Sequence, residues 1–366
     1  MSQKLIRERF ALGRQPFKCF DPFLFCMHHD DTFPVANPKL VQHNTKNEAE
    51  ERASMGPDPA LLARRDMGSD FSYIDGWSMY HGEVVPGFPS HPHRGFETIT
   101  VVRKGTVDHS DSVGCTARYS KGDTQWLTAG KGIQHSEMFP LLNQDTPNPC
   151  ELFQIWLNLP RRNKMCDPYF TMFWNEDHPH VTLQDVNGKG TADLTLVAGA
   201  IQGAKAMSPP PDSWASQPGS DVAVWVLDIP KSIKVQLPAA ESGSEANRAF
   251  YFVRGDAVKI QGEKDAEEVL KSRTGVKVDA GQSLTFEAID EDALLVMLQG
   301  KPIGEPVVQH GPFVMNTREE IMQCFADYSK TQFGGWPWTT SDHTHSRETA
   351  RHAIHLDGRK EFPGKK

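Results

Sequence analysis

Two short histidine-containing segments of this chain carry residues that can bind a metal ion. The first contains His91 and His93, and the second contains His135 and Glu137. In each pair a single residue separates the two, and side chains at that spacing lie on the same face of a β-strand. Two strands that bring these faces together would converge three imidazoles and one carboxylate on one point. The two pairs therefore predict a metal site in a β-rich protein.

The composition of this ligand set indicates which metals it suits. It contains no thiolate, whereas closed structural zinc sites favour cysteine, so iron, manganese, nickel or copper fits better. Four protein ligands leave two positions open on a six-coordinate ion. Water, dioxygen or a chelating substrate can occupy open positions, which indicates a catalytic or redox-active site rather than a structural one.

We interpret the first histidine pair as the start of a strand that continues through the following residues. Alternation then places Glu97, Ile99 and Val101 on the ligand face, which changes from polar to apolar as in a strand that enters a core. Glu97 has two interpretations that the sequence does not separate. It is either an acceptor that orients an imidazole or a buried carboxylate paired with Arg94 or Arg103.

Segments of strand length recur along the whole chain between glycine, proline and aspartate residues. Many short strands with regularly spaced turns are typical of an all-β sandwich or barrel. An amphipathic helix is predicted over 317–330, with Asn316 or Thr317 as its N-cap, and a short charged helix over 264–271. The predicted strands are 97–103, 123–128, 151–159, 194–199, 222–229, 233–237, 248–254, 283–289 and 293–299.

A weak internal repeat predicts two related barrels. The segment 100–107 resembles 251–258, and 121–127 resembles 280–286. At the place in the second copy that corresponds to His91 the chain reads Glu-Ser-Gly and has no histidine, so we expect the second barrel to lack metal ligands. The predicted domains are 1–160 with the metal site and an insertion at about 30–75, 161–330 ending in the helix, and a C-terminal extension over 331–366.

These motifs resemble the pirin family of the cupin superfamily. The likeness rests on residues 87–98, 122–137 and 300–317, and the distance from the first of these segments to the last takes in most of the chain. It implies an all-β bicupin, in which two tandem cupin barrels are followed by a short C-terminal helix. It also implies that the first barrel binds one Fe(II), or another divalent transition metal, through His91, His93, His135 and Glu137. The family has two described activities, oxygenolysis of quercetin-type flavonols and iron-dependent co-regulation of transcription factors in the nucleus.

Composition excludes several other classes of protein. The net charge is −8 and there is no sustained basic stripe, so we expect no direct nucleic-acid binding. No apolar run approaches the roughly 18 residues of a membrane span, and the N-terminus lacks a secretory signal. We therefore expect a monomer in the cytoplasm or the nucleus, with no membrane partner. The six cysteines are scattered as in a protein of a reducing compartment, at Cys19, Cys26, Cys115, Cys150, Cys166 and Cys324.

Three functional hypotheses remain open from the sequence. In the first, an Fe(II) oxygenase chelates a flavonol-like substrate while Glu137 or Glu97 accepts its proton. In the second, iron redox state alters a surface that binds a transcription factor, without turnover. In the third, the metal is only structural. A second His-Pro-His string, His178 to His180, lacks the context of the first, and we expect it and the histidines of the C-terminal tail to be solvated rather than ligands.

Overall fold

The structure is a computed structural model that describes residues 4–41, 47–263 and 267–364. Its helices are α1 (Pro38–Val41), α2 (Glu48–Ser54) and α3 (Arg318–Thr331), with short 3-10 turns between other elements. The strands, in chain order, are β1 (Ile6–Ala11), β2 (Phe23–Phe33), β3 (Gly87–His93), β4 (Phe96–Lys104), β5 (Thr106–Asp111), β6 (Thr116–Ser120), β7 (Thr124–Thr128), β8 (Ile133–Met138), β9 (Asn148–Asn158), β10 (Tyr169–Phe173), β11 (His180–Gln184), β12 (Thr191–Ala198), β13 (Ala200–Ile201), β14 (Ala204–Lys205), β15 (Ala223–Ile229), β16 (Lys234–Leu237), β17 (Asn247–Arg254), β18 (Ala257–Gly262), β19 (Glu268–Lys271), β20 (Thr274–Asp279), β21 (Leu284–Ala288), β22 (Ala293–Gly300), β23 (Val308–His310), β24 (Phe313–Met315), β25 (His352–Ile354) and β26 (Lys360–Glu361).

The all-β prediction is confirmed, and every strand predicted from the sequence is present with ends displaced by at most three residues. The predicted charged helix at 264–271 is wrong where the structure describes it. Residues 268–271 form β19, which pairs with β18, and Leu270 is fully buried in the core. Burial of that one apolar side chain in a sheet outweighs the helical propensity of its charged neighbours. Residues 264–266 lie outside the described part of the chain.

Compactness divides the described chain into two units that interleave along the sequence. The first unit takes in 29–154, 164–176 and 306–364, and the second takes in 4–28, 155–163 and 177–305. This differs from the contiguous division expected from the sequence, because the N-terminal strand β1 pairs with β20 of the second unit and helix α3 contacts β23 and β24 of the first unit.

The first unit contains a six-stranded antiparallel sheet of order β26-β25-β6-β5-β8-β3. A five-stranded sheet of order β10-β7-β4-β9-β2 contributes further residues to its core. The C-terminal extension supplies two of the sheet strands, because β25 pairs with β6 and β26 pairs with β25. A buried ion pair holds the extension in place: Arg118 binds Asp108 and also donates to the backbone carbonyl of Ser346.

The second unit contains a seven-stranded sheet of order β1-β20-β17-β22-β15-β12-β11 and a four-stranded sheet of order β16-β21-β18-β19. Side chains from both sheets share one apolar core, in which the rings of Phe250 and Phe286 lie 4.6 Å apart. Leu284 of β21 and Leu295 of β22 are also buried there.

Helix α3 has the N-terminal cap that the sequence indicates. Thr317 accepts a hydrogen bond from the backbone N–H of Glu320, whose side chain accepts in return from the backbone of Thr317. Ile321 and Cys324 are buried against β24, whereas Phe325 is 39% exposed. The predicted apolar stripe is therefore present but only partly covered.

The segment expected to be an insertion, from about 30 to 75, contains regular structure in its described part. Strand β2 continues to Phe33, and the loop that follows α2 is held by a buried ion pair between Arg65 and Asp70 at 2.8 Å. The Arg65 guanidinium also stacks on Trp77, with its central carbon 3.4 Å from the ring centroid. This loop is thus an integral part of the first unit. No helix in the described ranges is both long and apolar enough to span a membrane, and all six cysteines are free thiols.

Candidate metal centre

Three of the four predicted ligands come together in the first unit. His91 and His93 lie on β3 and His135 on β8, and each offers a ring nitrogen within 4.8 Å of the others. The ring centroids are separated by 4.5 to 4.9 Å. The two strands pair directly, with His91 opposite His135. These three imidazoles, called the histidine triad below, could hold a metal ion.

The triad forms by a different backbone path from the one expected. The chain does not continue as one strand from His93 into Glu97, because it turns at Gly95 (φ +85°) and enters β4, which belongs to the other sheet. A Cβ at Gly95 would lie 1.9 Å from the carbonyl oxygen of Val314, so only glycine fits there. Glu97 is therefore not on a continuation of the ligand face. Gly132 (φ +131°) likewise permits the approach to β8 that presents His135.

Backbone carbonyls orient two of the triad imidazoles. His91 Nδ1 lies 2.9 Å from the carbonyl oxygen of Pro89, and His93 Nδ1 lies 3.4 Å from that of Pro312. Donation from Nδ1 places the ring proton there and leaves the Nε2 lone pair for a ligand. His135 is fully buried, and among the described residues neither of its ring nitrogens has a hydrogen-bond partner. A buried imidazole normally has a partner, so His135 fits a metal ion as its missing partner.

The protonation states of the triad also suit a metal site. Burial lowers the pKa of His91 to about 4, against a smaller opposing effect of the hydrogen bond to Pro89. Burial lowers the pKa of His93 and His135 well below the usual range, and the neighbouring imidazoles lower both further. All three rings are therefore neutral near pH 7, which is the form that binds metals.

Glu137, the fourth predicted ligand, lies beside the triad and outside the mutually close group of ring nitrogens. Its Oε2 is 3.9 Å from His135 Nε2. Thr100 Oγ1 lies 2.8 Å from Glu137 Oε1 and 2.7 Å from Gln154 Oε1, and Gln154 Nε2 donates to Glu137 Oε2 at 3.2 Å. Burial raises the pKa of Glu137, and the hydrogen bond with Thr100 partly opposes that rise.

The carboxyl network can accommodate Glu137 in its protonated form, which burial favours, while hydrogen bonds with Thr100 and Tyr119 favour the ionised form. The Thr100 hydroxyl has one proton but touches two acceptor oxygens. If Glu137 is protonated, it donates to Thr100, Thr100 donates to Gln154, and the Gln154 amide donates back to Glu137, so every polar atom of this ring is satisfied. An ionised Glu137 would accept the hydrogen bond of the Thr100 hydroxyl, and that hydroxyl would then have no hydrogen left to donate to Gln154 Oε1. Loading of a cation beside this carboxyl would favour the ionised form.

Two further buried titratable residues are Glu97 and His109. The sequence identified the first but not the second. Glu97 is fully buried and accepts a hydrogen bond from Thr128 Oγ1 at 2.7 Å. His109, which the sequence analysis did not single out, is also fully buried, with its ring 5.5 Å from that of His135 and its Nε2 3.2 Å from Asp111 Oδ2. The available signal was the alternation of His109 and Asp111 on a strand that follows a glycine turn.

Helix α3 ties down both strands of the triad. Arg94, directly after His93, forms an ion pair with Asp327 at 2.7 Å. Gln134, directly before His135, accepts from the Tyr328 hydroxyl at 3.1 Å. These contacts fix the ends of β3 and β8, and nothing in the spacing of the sequence indicated them.

Three of the remaining histidines, His178, His343 and His345, are less exposed than expected. His178 is 5% exposed, and burial lowers its pKa to about 4. His343 of the C-terminal tail stacks on Trp338 at 4.4 Å, and His345 Nε2 lies 3.0 Å from Thr116 Oγ1. The expectation that these side chains are solvated is wrong for His178, whereas His180 is exposed as expected. His343 and His345 are half-buried, because the tail packs against β5 and β6. None of them belongs to the triad.

A cavity of about 310 Å³ lies in the same unit, beside the triad strands. Asp111 of β5 and Ile133 of β8 line one side, and Phe170 of β10 lines another. His355 and Arg359 of the C-terminal extension form a further wall. The described lining does not include the imidazoles of the triad, so the cavity neighbours the candidate metal centre without containing it.

Comparison with known proteins gives consistent matches across both units. Residues 58–157 match the Pirin family model, and residues 225–334 match the model of the Pirin C-terminal cupin domain. A Caulobacter vibrioides protein named "Pirin-like protein" is 35% identical over 69% of this chain and 82% of its own length. A Pseudomonas aeruginosa protein named "Putative quercetin 2,3-dioxygenase" is 33% identical over 67% of this chain and 80% of its own length.

The fold is also found among solved structures. A quercetin 2,3-dioxygenase from Acinetobacter baumannii superposes with a TM-score of 0.66 over 91% of this chain and 99% of that one, at 24% identity. The match to the Pirin family model begins at residue 58, so residues 34–57 lie between the end of β2 and the matched region. The sequence identity, its coverage and the two domain matches together show that the chain belongs to the pirin family, with an N-terminal and a C-terminal cupin domain.

Proposed function

We propose that the histidine triad binds one Fe(II) and that the protein is a dioxygenase of the quercetin 2,3-dioxygenase type, acting on flavonol-like substrates. The observation that carries the proposal is the convergence of three neutral imidazoles, two of them buried, one of which has no hydrogen-bond partner among the described residues. A thiolate-free imidazole set suits iron. The name of the Pseudomonas aeruginosa relative supports the proposed substrate class.

Iron bound here would supply open positions for the adjacent hydroxyl and carbonyl oxygens of a flavonol and for dioxygen. His91 and His93 would hold the ion in an orientation that the carbonyls of Pro89 and Pro312 already set. His135, which lies opposite His91 on the paired strand, would complete the protein side. The buried positions of His93 and His135 keep bulk water away from their side of the site.

Glu137 is the group in this chain that we assign to proton transfer. Its Oε2 lies 3.9 Å from His135 Nε2, close enough to reach a substrate hydroxyl bound beside the triad. A raised pKa makes the ionised carboxylate a stronger base, and Thr100 and Gln154 keep its two oxygens oriented. The proton of the flavonol hydroxyl would move to this carboxylate.

The first test measures metal content. His135→Ala removes one imidazole of three, and the iron affinity of the purified chain should fall by at least the 10–100-fold typical of losing even an outer partner. The matched control is the double variant His178→Ala with His180→Ala, which removes the buried His178 and the exposed His180 of the second unit and should leave iron content unchanged. Full iron retention in His135→Ala, or loss in the control alone, would contradict the assignment.

The second test measures turnover. Anaerobic addition of quercetin to the Fe(II) protein should shift the flavonol absorption as its hydroxyl is deprotonated, and admitting air should then consume oxygen in proportion to flavonol lost. Glu137→Gln should retain the spectral response to metal and lose most of the rate. If neither shift nor uptake occurs across several flavonols, while affinity for a transcription factor depends on the iron redox state, the regulatory hypothesis replaces this one.

A further inference from the structure

The second unit contains a cavity of about 710 Å³ at one end of its apolar core. Ala223 and Trp225 of β15, Arg248 of β17 and Gln299 of β22 all line it. Gln299 pairs with Ala223 on one side and with Arg248 on the other, so these three side chains share one face of the sheet. The next row on that face is Trp225, Met297 and Phe250, which belong to the core. The cavity therefore begins where the core ends.

Arg248 is a buried cation whose charge the described residues leave without a direct partner. Its residue is only 1% exposed. Nε donates to Gln299 Oε1 at 2.5 Å and Nη1 donates to the carbonyl of Pro238 at 2.7 Å. Within the described ranges no carboxylate lies within ion-pair distance of the guanidinium, and Nη2 has no hydrogen-bond partner. A buried charge without a counter-charge is costly, and an arriving anion would remove that cost.

The other charged groups of the cavity do not remove this need. Asp221 does not contact Arg248 directly, since its Oδ1 accepts from Gln299 Nε2 at 2.8 Å and its Oδ2 accepts from the Ser242 backbone; its charge acts on the guanidinium through space. Lys205 and Glu241 also line the cavity and are exposed to solvent, where water screens their charges. Burial lowers the pKa of Arg248 to about 10, against the opposing effect of Asp221, so the guanidinium is still charged at neutral pH.

A second unpaired donor lies in the same wall. Trp225 is 2% exposed, and its indole Nε1 has no hydrogen-bond partner among the described residues. The Arg248 guanidinium lies 6.0 Å from the Trp225 ring centroid. A buried indole N–H usually has an acceptor. The cavity wall thus contains a buried cation and, with its ring centroid 6.0 Å from the guanidinium, an indole whose buried N–H has no partner among the described residues.

We infer that this cavity binds a small organic carboxylate, anchored by the Arg248 fork with Trp225 Nε1 as a second donor. A planar carboxylate matches the geometry of a guanidinium, and the volume is that of a small-molecule site. One buried cation balances one negative charge, which favours a monocarboxylate over a phosphate dianion. The site is in the second unit, where no counterpart of the histidine triad is found among the described residues, and it does not depend on the function proposed for the triad.

The test follows the indole resonances of the full-length, ¹⁵N-labelled chain during titration. Trp225→Phe identifies the Trp225 resonance by its loss. Benzoate should shift that resonance in a saturable manner, whereas the neutral isostere benzamide should not, and inorganic phosphate should bind more weakly than benzoate. Because benzoate can also chelate a metal, the titration is repeated in His135→Ala, where the shift should persist.

Variants then assign the anchor by calorimetry with benzoate. Arg248→Met should weaken binding by about tenfold or more, as expected for a lost charged hydrogen bond, and Trp225→Phe should weaken it several-fold. Lys189→Met, which removes an exposed charge of the same unit, should bind as the unchanged chain does. If Arg248→Met does not fold, Arg248→Lys keeps the charge without the fork and should still weaken binding. No shift at Trp225 with benzoate, equal shifts with benzamide, unaltered affinity in the folded Arg248 variant, or tighter binding of phosphate would each overturn the inference.

Discussion

Thr100 offers a direct test of the hydrogen-bonded ring around Glu137. Thr100→Val replaces the hydroxyl by a methyl group of nearly the same size, so packing is preserved while the ring is opened. Thr100 is 1% exposed and Glu137 is 6% exposed, so water does not readily replace the lost partner. The Glu137 and Gln154 oxygens that the hydroxyl contacts at 2.8 and 2.7 Å both lose it.

The expected magnitude follows from these two contacts. A buried polar atom left without its partner costs about 1–3 kcal/mol. Since Glu137 and Gln154 can shift slightly toward each other and recover part of one bond, we expect the free energy of unfolding of the metal-free chain to fall by about 2 kcal/mol, rather than by the sum of two losses. The proton-transfer step should slow as well, because Glu137 is no longer held at both oxygens.

Urea unfolding of the metal-free chain measures the first effect, and oxygen uptake with quercetin measures the second. The matched control is Thr98→Val, two residues earlier on β4 and also 1% exposed. Thr98 makes no side-chain hydrogen bond with the described residues, so its replacement should leave stability nearly unchanged. If Thr100→Val loses no more stability than Thr98→Val, the hydrogen-bonded ring does not exist in solution.

Three further expectations follow from other parts of the molecule. Burial lowers the pKa of His345 from 6.5 to about 4. The contribution of this residue to the stability of the metal-free chain should therefore be complete above pH 6.5 and decline toward pH 4, by at most about 3 kcal/mol. When urea unfolding is measured at a series of pH values, His345→Asn should reduce this decline. Leu270→Ala should cost about 2–5 kcal/mol because the side chain is fully buried on β19, whereas Val269→Ala, at a 42% exposed neighbour, should cost little; equal losses by thermal unfolding would contradict the strand assignment. Asp327→Asn breaks the ion pair between α3 and Arg94, which directly follows strand β3, and should weaken iron binding by about tenfold. Glu319→Gln, on the exposed side of α3, should not. Equal iron affinities of the two variants in a chelator competition would show that the helix does not support the metal site.

Local patterns in the sequence were sufficient for the strands, the helix cap and three of the four candidate ligands. The alternation of His91 with His93 survives in the structure because side-chain direction in a strand depends only on backbone geometry. The capping box of α3 is likewise local, since Thr317 and Glu320 are three residues apart. The absence of histidine at the corresponding place in the repeat was also readable before any fold was known.

Tertiary structure decided what lies around those ligands. The turn at Gly95 depends on the close approach of Val314, which is more than two hundred positions away in the sequence. Alternation alone therefore wrongly extended the ligand face beyond His93 to Glu97 and the residues after it. Glu137 faces Thr100 and Gln154 because β4, β8 and β9 meet there. Arg248 is uncompensated only because folding places it at the end of an apolar core. Such pairings link residues far apart in the chain, and no spacing rule encodes them.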